Sequence, residues 1–258
     1  ALRGVATVDP SLVAQVRAAV RELGYVPDSA ARALASRTSA HVTVIVPLLT
    51  NALFIDLLDA AQAVFREAGY EALIGVTHYD AAEEEQLLHE QLAHRPAGLL
   101  ITGAHHSAVT RRLLASCGVP CVRMMELTGD QDCVGLSQRA AAAALTRHLL
   151  ARGRRRIAFV AVQLDPRTLQ RREGWRQTLR RAGSWDVSLS FEDARASSMA
   201  LGGELLQRVL REQPDVDAIF FCNDDLAQGA LLAALRQGVA VPGRVAVAGF
   251  NDLPGSDQ

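Results

Sequence analysis

From residue 41 onward the chain alternates between two periods, and that alternation constrains its fold more than any other feature. Short apolar runs, "HVTVIVP" (41–47), "EALIGVT" (71–77), "GLLIT" (98–102), "PCVRM" (120–124) and "CVGL" (133–136), are interleaved with helical patterns at 53–68, 82–94, 107–116 and 138–151. Short strands separated by helices of ten or so residues form right-handed βαβ units, with a parallel sheet between two helical layers. A run that is apolar at nearly every position, as in "HVTVIV", suits a strand buried on both faces.

Past "ARGRRR" the series restarts: strand "RIAFVAV", helix 167–182, a weak strand near "VSLSF", helix 198–212, strand "DAIFF", helix 225–237 and strand "RVAVAGF". Two doubly wound α/β sheets in tandem imply two lobes, 41–152 and 153–258, with a cleft between them. The second series ends on a fresh strand and the loop "NDLPGSDQ", and the chain opens without Met on "ALRGVATVD", so the sequence reads as incomplete at both ends.

Ahead of the first strand, "DPSLVAQVRAAVREL" (9–23) reads as a helix capped by Asp9, with Pro10 at its first position and Leu12, Val16, Val20 and Leu23 on one face; Gly24 ends it. The next segment, "PDSAARALAS" (27–36), has Asp28 as a cap and helix-favouring Ala, Arg32 and Leu34. At two turns it falls short of the roughly 12–15 residues that an isolated helix needs in water.

With a net charge of −1, the chain makes no bulk electrostatic claim on nucleic acid, although a small basic module would be hidden in that total. All 27 basic residues are Arg, which reads as genome composition. Cys117, Cys121, Cys133 and Cys222 lie in apolar segments without metal-ligand spacing and read as buried thiols. No secretory signal or membrane-spanning run is evident, so a cytoplasmic location is expected.

In open parallel sheets ligands bind beyond the carboxyl ends of the strands. The loops there, "LLTNALF", "THYD", "TGAHHS", "MMEL", "QLDPRTLQR", "ARASS", "CNDD" and "FND", carry amides, carboxylates, hydroxyls and guanidinium groups. Such a lining suits a small polyhydroxylated ligand, with an arginine to grip a carboxylate in bidentate fashion. There is no dinucleotide fingerprint or P-loop, and "GLSQR" around Ser137 lacks the second glycine of a nucleophile elbow, so neither catalysis nor a cofactor is expected. His78, His105 and His106 read as polar contacts rather than metal ligands, and Asp224 and Asp225 as helix-capping residues rather than an acid–base pair. Arg171 stands among Arg167, Arg172, Arg176, Arg180 and Arg181, most of which read as solvated. It differs by its place near the helix start, three residues before Gly174 and four before Trp175.

Taken together, "VDPSLVAQVRAAVRELGYVPDSAARALASRTS", "IVPLLTNALFIDLLDAA", "GLLITG", "HLLARGRRRIAFV" and "CNDDLAQGALLAALRQGVAVPGRVAVAGFND" resemble the lactose-repressor (LacI) family of bacterial transcription regulators over nearly the whole chain. "TGAHHS", "MMEL" with "VGLSQ", and "QLDPRTLQRREG" look most like its gluconate-type repressors; Arg123 departs from that pattern, which has Glu there.

The resemblance implies a two-lobed, periplasmic-binding-protein-like sensor preceded by the end of a helix-turn-helix head (1–26) and a hinge helix with its linker (27–40). The hinge helix would fold when two copies meet on operator DNA. Leu34 would then be an apolar wedge in the minor groove, Ala30 and Ala31 would allow close approach, and Arg32 and Arg37 would meet phosphates. Arg171 would grip the effector, Asn223 and Asn251 would bind its hydroxyls, and Phe54 would pack on its face, with His105, His106 and Glu126 as further contacts. The implied function is that of a homodimeric repressor answering to a small sugar acid such as gluconate, without metal or cofactor. The rival reading is a sugar-binding receptor of a transport system, which shares the two-lobed fold; residues 9–37 have no use in such a receptor.

Overall fold

In the computed structural model residues 8–25, 39–127, 129 and 132–256 are described. Ala30, Ala31, Arg32, Leu34 and Arg37, with the rest of the hinge segment, lie outside them.

The first lobe is built around β1 (His41–Val46), whose last four residues are all buried. It pairs in parallel with β2 (Glu71–Val76) and β3 (Gly98–Thr102), and β4 (Cys121–Met125) and β5 (Cys133–Gly135) extend the sheet in the order β2-β1-β3-β4-β5. Strand alternation sends Val44 and Val46 to one face, where they pack with Phe54 and Leu58 of α2 (Ala52–Glu67), and Ile45 to the other. There Ile45 joins Leu88 of α3 (Ala81–Ala93) and Leu113 of α4 (Ala108–Ser116). Side-chain caps start these helices: Asn51, Asp80 and Ser107 each accept from a backbone N–H of the first turn.

The second lobe repeats the plan with β6 (Ile157–Val162) buried at every position, in a parallel sheet ordered β7-β6-β8-β9. β7 is Ser190–Asp193, β8 is Ala218–Phe221 and β9 is Ala246–Ala248. A 3₁₀ turn, Val187–Leu189, occupies the first half of the segment read as a weak strand. The layering is completed by α5 (Gln138–Ala151), α6 (Pro166–Arg181), α7 (Met199–Glu212) and α8 (Asp224–Gln237).

Two sequence expectations are corrected here. Helix α5, assigned above to the first lobe, packs along α6, and its Ala142 and Leu149 belong to the core of the second lobe; the lobes therefore part ahead of α5, not at 152/153. Gly174 permits that packing, because a Cβ there would run into the Arg139 carbonyl. Of the four thiols only Cys222 is buried, and Cys117, Cys121 and Cys133 are half-buried.

Helix α1 (Pro10–Glu22) forms with Asp9 capping Ser11 N at 2.7 Å, as its sequence signals require. Its stripe is only partly covered: Val16 and Val20 are half-buried, while Leu12 and Leu23 are 49% and 79% exposed.

Candidate functional site

The carboxyl ends of the two sheets face each other across a cleft. Its main cavity, about 270 Å³, is walled by Phe54 and Asn51 from the first lobe and by Arg171, Asn223, Asp225 and Asn251 from the second. Arg171 reaches it from α6, whose start is fixed by Asp165 accepting from the backbone of Arg167 and Thr168. The Arg171 guanidinium is held on every side. Its Nε donates to Gln138 Oε1 at 2.8 Å, Nη1 to the Cys222 carbonyl and Nη2 to Asn251 Oδ1 at 3.4 Å, and it lies 3.8 Å from the centre of the Phe250 ring.

All these partners are neutral. Arg171 is 6% exposed and forms no salt bridge among the described residues; burial, above all, pulls its pKa down to about 10. A buried cation without an anion is costly, and an incoming carboxylate would supply the missing partner.

The groups around it are arranged for hydroxyls. Asn223 caps α8: its Oδ1 accepts from Leu226 N at 3.1 Å and Ser197 Oγ at 3.0 Å, leaving Nδ2 uncommitted among the described residues. Asn251 stands at φ 124°, and its loop is anchored by the buried Asp224, which accepts from Leu253 N at 2.8 Å. Positive φ recurs beyond the other strand ends that border the cleft, at His78, Tyr79, Gln163 and Leu164. Such backbone strain is tolerated where surrounding contacts over-determine a site. Asp225 accepts from Asn51 Nδ2 across the cleft at 3.1 Å; burial, then the neighbouring Asp224, push its carboxyl above the usual range.

A second cavity of about 130 Å³ lies over the first lobe and is lined by His105 and Glu126. Glu126 is buried, accepting from Ala104 N at 2.6 Å and from Gln170 Nε2 of the second lobe at 2.9 Å, with His105 Nδ1 3.7 Å away. Between the cavities Arg167 Nη2 donates to the Tyr79 hydroxyl at 2.7 Å.

The expected effector residues therefore divide. Arg171, Asn223, Asn251 and Phe54 line one cavity, and His105 and Glu126 the other. His106 lines neither: its ring is buried, with Nδ1 3.0 Å from Glu84 and Nε2 3.1 Å from the Gly103 carbonyl, so it braces the loop. The loops that hold Asn51, Tyr79, Arg167 and Asp225 were expected to line the site, but none of the four was given a ligand role, and Gln138 was not placed there. All but Gln138 carried a usable signal, as polar residues in loops or at helix starts beyond strand ends. Among the described residues no group of three His, Cys, Asp or Glu could hold a metal ion, and no helix is long and apolar enough to cross a membrane.

Residues 39–258 match the family of periplasmic binding proteins and sugar-binding domains of the LacI family. The chain is 56% identical over 259 residues to the HTH-type transcriptional regulator GntR of Pseudomonas aeruginosa, covering all of this chain and 76% of that protein. The crystal structure of the transcription regulator GntR from Chromobacterium violaceum superposes with a TM-score of 0.81 at 49% identity, over 83% of this chain and 79% of that one. A LacI-family regulator from Silicibacter pomeroyi gives 0.90 at 36% identity, over 98% of this chain and 77% of its own. The chain belongs to the LacI family of transcriptional regulators, and its two lobes are that family's sugar-binding domain.

Proposed function

We propose that the protein is a cytoplasmic, homodimeric repressor that binds operator DNA and whose cleft takes a small sugar acid, gluconate first among them, as effector; it acts by binding and not by catalysis. The observation that carries the effector class is Arg171, a buried guanidinium surrounded by neutral acceptors in a cavity lined with amides and hydroxyls, where Asp165 is already paired with Arg167 and Asp225 with Asn51. The carboxylate would pair with its remaining N–H groups, the Nδ2 atoms of Asn223 and Asn251 would donate to ligand hydroxyls, and Phe54 would shield one face. Gluconate is favoured over other acids by the resemblance of "TGAHHS", "MMEL" and "QLDPRTLQRREG" to the gluconate-type repressors.

Hydrogen bonds that cross the cleft, Asn51 to Asp225, Arg167 to Tyr79 and Gln170 to Glu126, supply contacts that a ligand could bias toward one lobe arrangement. Through the first lobes this would reach the hinge segment, where Leu34 would wedge into the operator with Ala30 and Ala31 beside it and Arg32 and Arg37 on phosphates. A coupling of about 1–3 kcal/mol is ordinary for such linkage. Dimerisation is supported by exposed Ile55 and Val64 on α2 and Ile74 on the edge strand β2. A transport receptor is disfavoured because the match to the Pseudomonas aeruginosa regulator includes residues 1–38, ahead of the sugar-binding domain.

The test is a titration of gluconate and glucose followed by tryptophan fluorescence, repeated on the operator-bound full-length protein. Saturable binding of the acid with release of DNA is expected. A response to glucose alone would overturn the sugar-acid assignment.

A further inference from the structure

The two cavities share three lining residues, Tyr79, Asp165 and Arg167, so those residues form the wall between them. The wall is rigid. Arg167 is 8% exposed and is held by Asp165 Oδ1 at 3.4 Å and by the Tyr79 hydroxyl, with its guanidinium 5.7 Å from the ring centres of both Phe54 and Tyr79. Tyr79 is set by its backbone, at φ 61° in the turn after β2.

The chambers differ in charge. The larger is lined by Arg167 and Arg171 against Asp165 and Asp225, whereas the smaller is bordered by Asp80, Glu84, Glu126 and Asp165 against the single cation Arg167. A ligand carboxylate is thus drawn to Arg171 and repelled from the first-lobe chamber. A neutral hydroxylated group carries no such penalty there, and meets Thr77 and His105 as well as the acids.

We infer that the Tyr79–Arg167 clasp sets ligand length: it confines the ligand to one sugar-acid unit beside Arg171 and shuts off a subsite that accepts a neutral glycosyl unit attached to that acid. This rests on the sugar-acid reading of the Arg171 cavity. Tyr79 and Arg167 are then specificity-determining residues, and widening the wall enlarges the range of ligands without moving the carboxylate.

The probes are D-gluconate and lactobionate, which is gluconate bearing a galactosyl group, titrated by calorimetry into the wild type, Tyr79→Ala and Tyr79→Leu. The wild type should prefer gluconate by about 100-fold or more, and removal of the ring should cut that preference about 10-fold or more; a tenfold change is the effect of a modest pocket clash. Tyr79→Leu gives the same reading should Tyr79→Ala fail to fold, as judged by circular dichroism. Equal affinity of the wild type for both acids overturns the inference, as does an unchanged preference in folded variants that still bind gluconate. If the folded wild type binds neither acid, the sugar-acid reading itself fails, and this inference with it.

Discussion

Gln138 ties Arg171 to the opposite lobe: its Oε1 accepts from Arg171 Nε at 2.8 Å while its Nε2 donates to the Met125 carbonyl at 3.0 Å. The cation expected to meet the ligand is thus oriented by an amide that also reads the end of β4. Gln138→Glu would place an anion against Arg171 and compete with an incoming carboxylate. We expect this variant to bind gluconate about 10-fold more weakly than Gln138→Ala, the ordinary scale for a charge-assisted hydrogen bond. Calorimetry on both variants checks it; equal affinities would mean that Arg171 does not meet the acid.

Gly174→Ala should destabilise the protein by about 1–3 kcal/mol, the usual penalty of overpacking. The added Cβ meets the Arg139 carbonyl and the Ala143 backbone, which cannot rotate aside as a flexible side chain would, so α5 and α6 must separate. Urea denaturation followed by far-UV circular dichroism measures the loss. Ligand affinity should fall too, because Gln138 rides on α5.

The raised pKa of Asp225 makes a signed prediction. Its carboxylate is disfavoured by burial and by Asp224, so the folded state resists ionisation relative to the unfolded chain, where the ordinary value is 3.8. The resulting penalty is fully present above the folded-state pKa and disappears below 3.8, where both states are protonated. Asp225→Asn keeps an acceptor for Asn51 and removes the charge. It should be the more stable protein at pH 7, with the advantage vanishing as the pH falls below the ordinary carboxylate range. Melting temperatures of both proteins from pH 3 to 8 decide it.

Trp175→Ala should cost about 3–5 kcal/mol, as large aromatic truncations do. The indole is fully buried, stacks on Phe159 with ring centres 5.4 Å apart and donates to the Ile157 carbonyl at 3.1 Å. Denaturant midpoints report the loss. Trp175→Phe should recover most of it while leaving that carbonyl without its donor.

Much of the fold was legible because helix and strand periods differ and the elements alternate: the ends of α2, α3 and α6 lie within a residue of their sequence positions. The lobe boundary was not. Ala142 and Leu149 mark α5 as having a buried face, but an apolar stripe does not name the surface that covers it, and here that surface is α6. The site divides in the same way. The loops that carry Arg171, Asn223 and Asn251 follow from their places beyond strand ends, where open α/β sheets expose binding groups, and the roles expected of these three residues came from the family resemblance. Gln138 acts because of which helix faces which lobe, a long-range fact with no local pattern. His106 sits beside His105 in sequence yet turns inward onto Glu84, since neighbouring loop side chains need not share a direction.

The most direct test is isothermal titration of D-gluconate into the wild type and Arg171→Ala. The expected result is saturable binding to the wild type and an affinity at least about 30-fold lower for the variant, the lower end of the 2–5 kcal/mol expected when one partner of a buried charge pair is truncated. Equal binding by both proteins, each folded by circular dichroism, would contradict it.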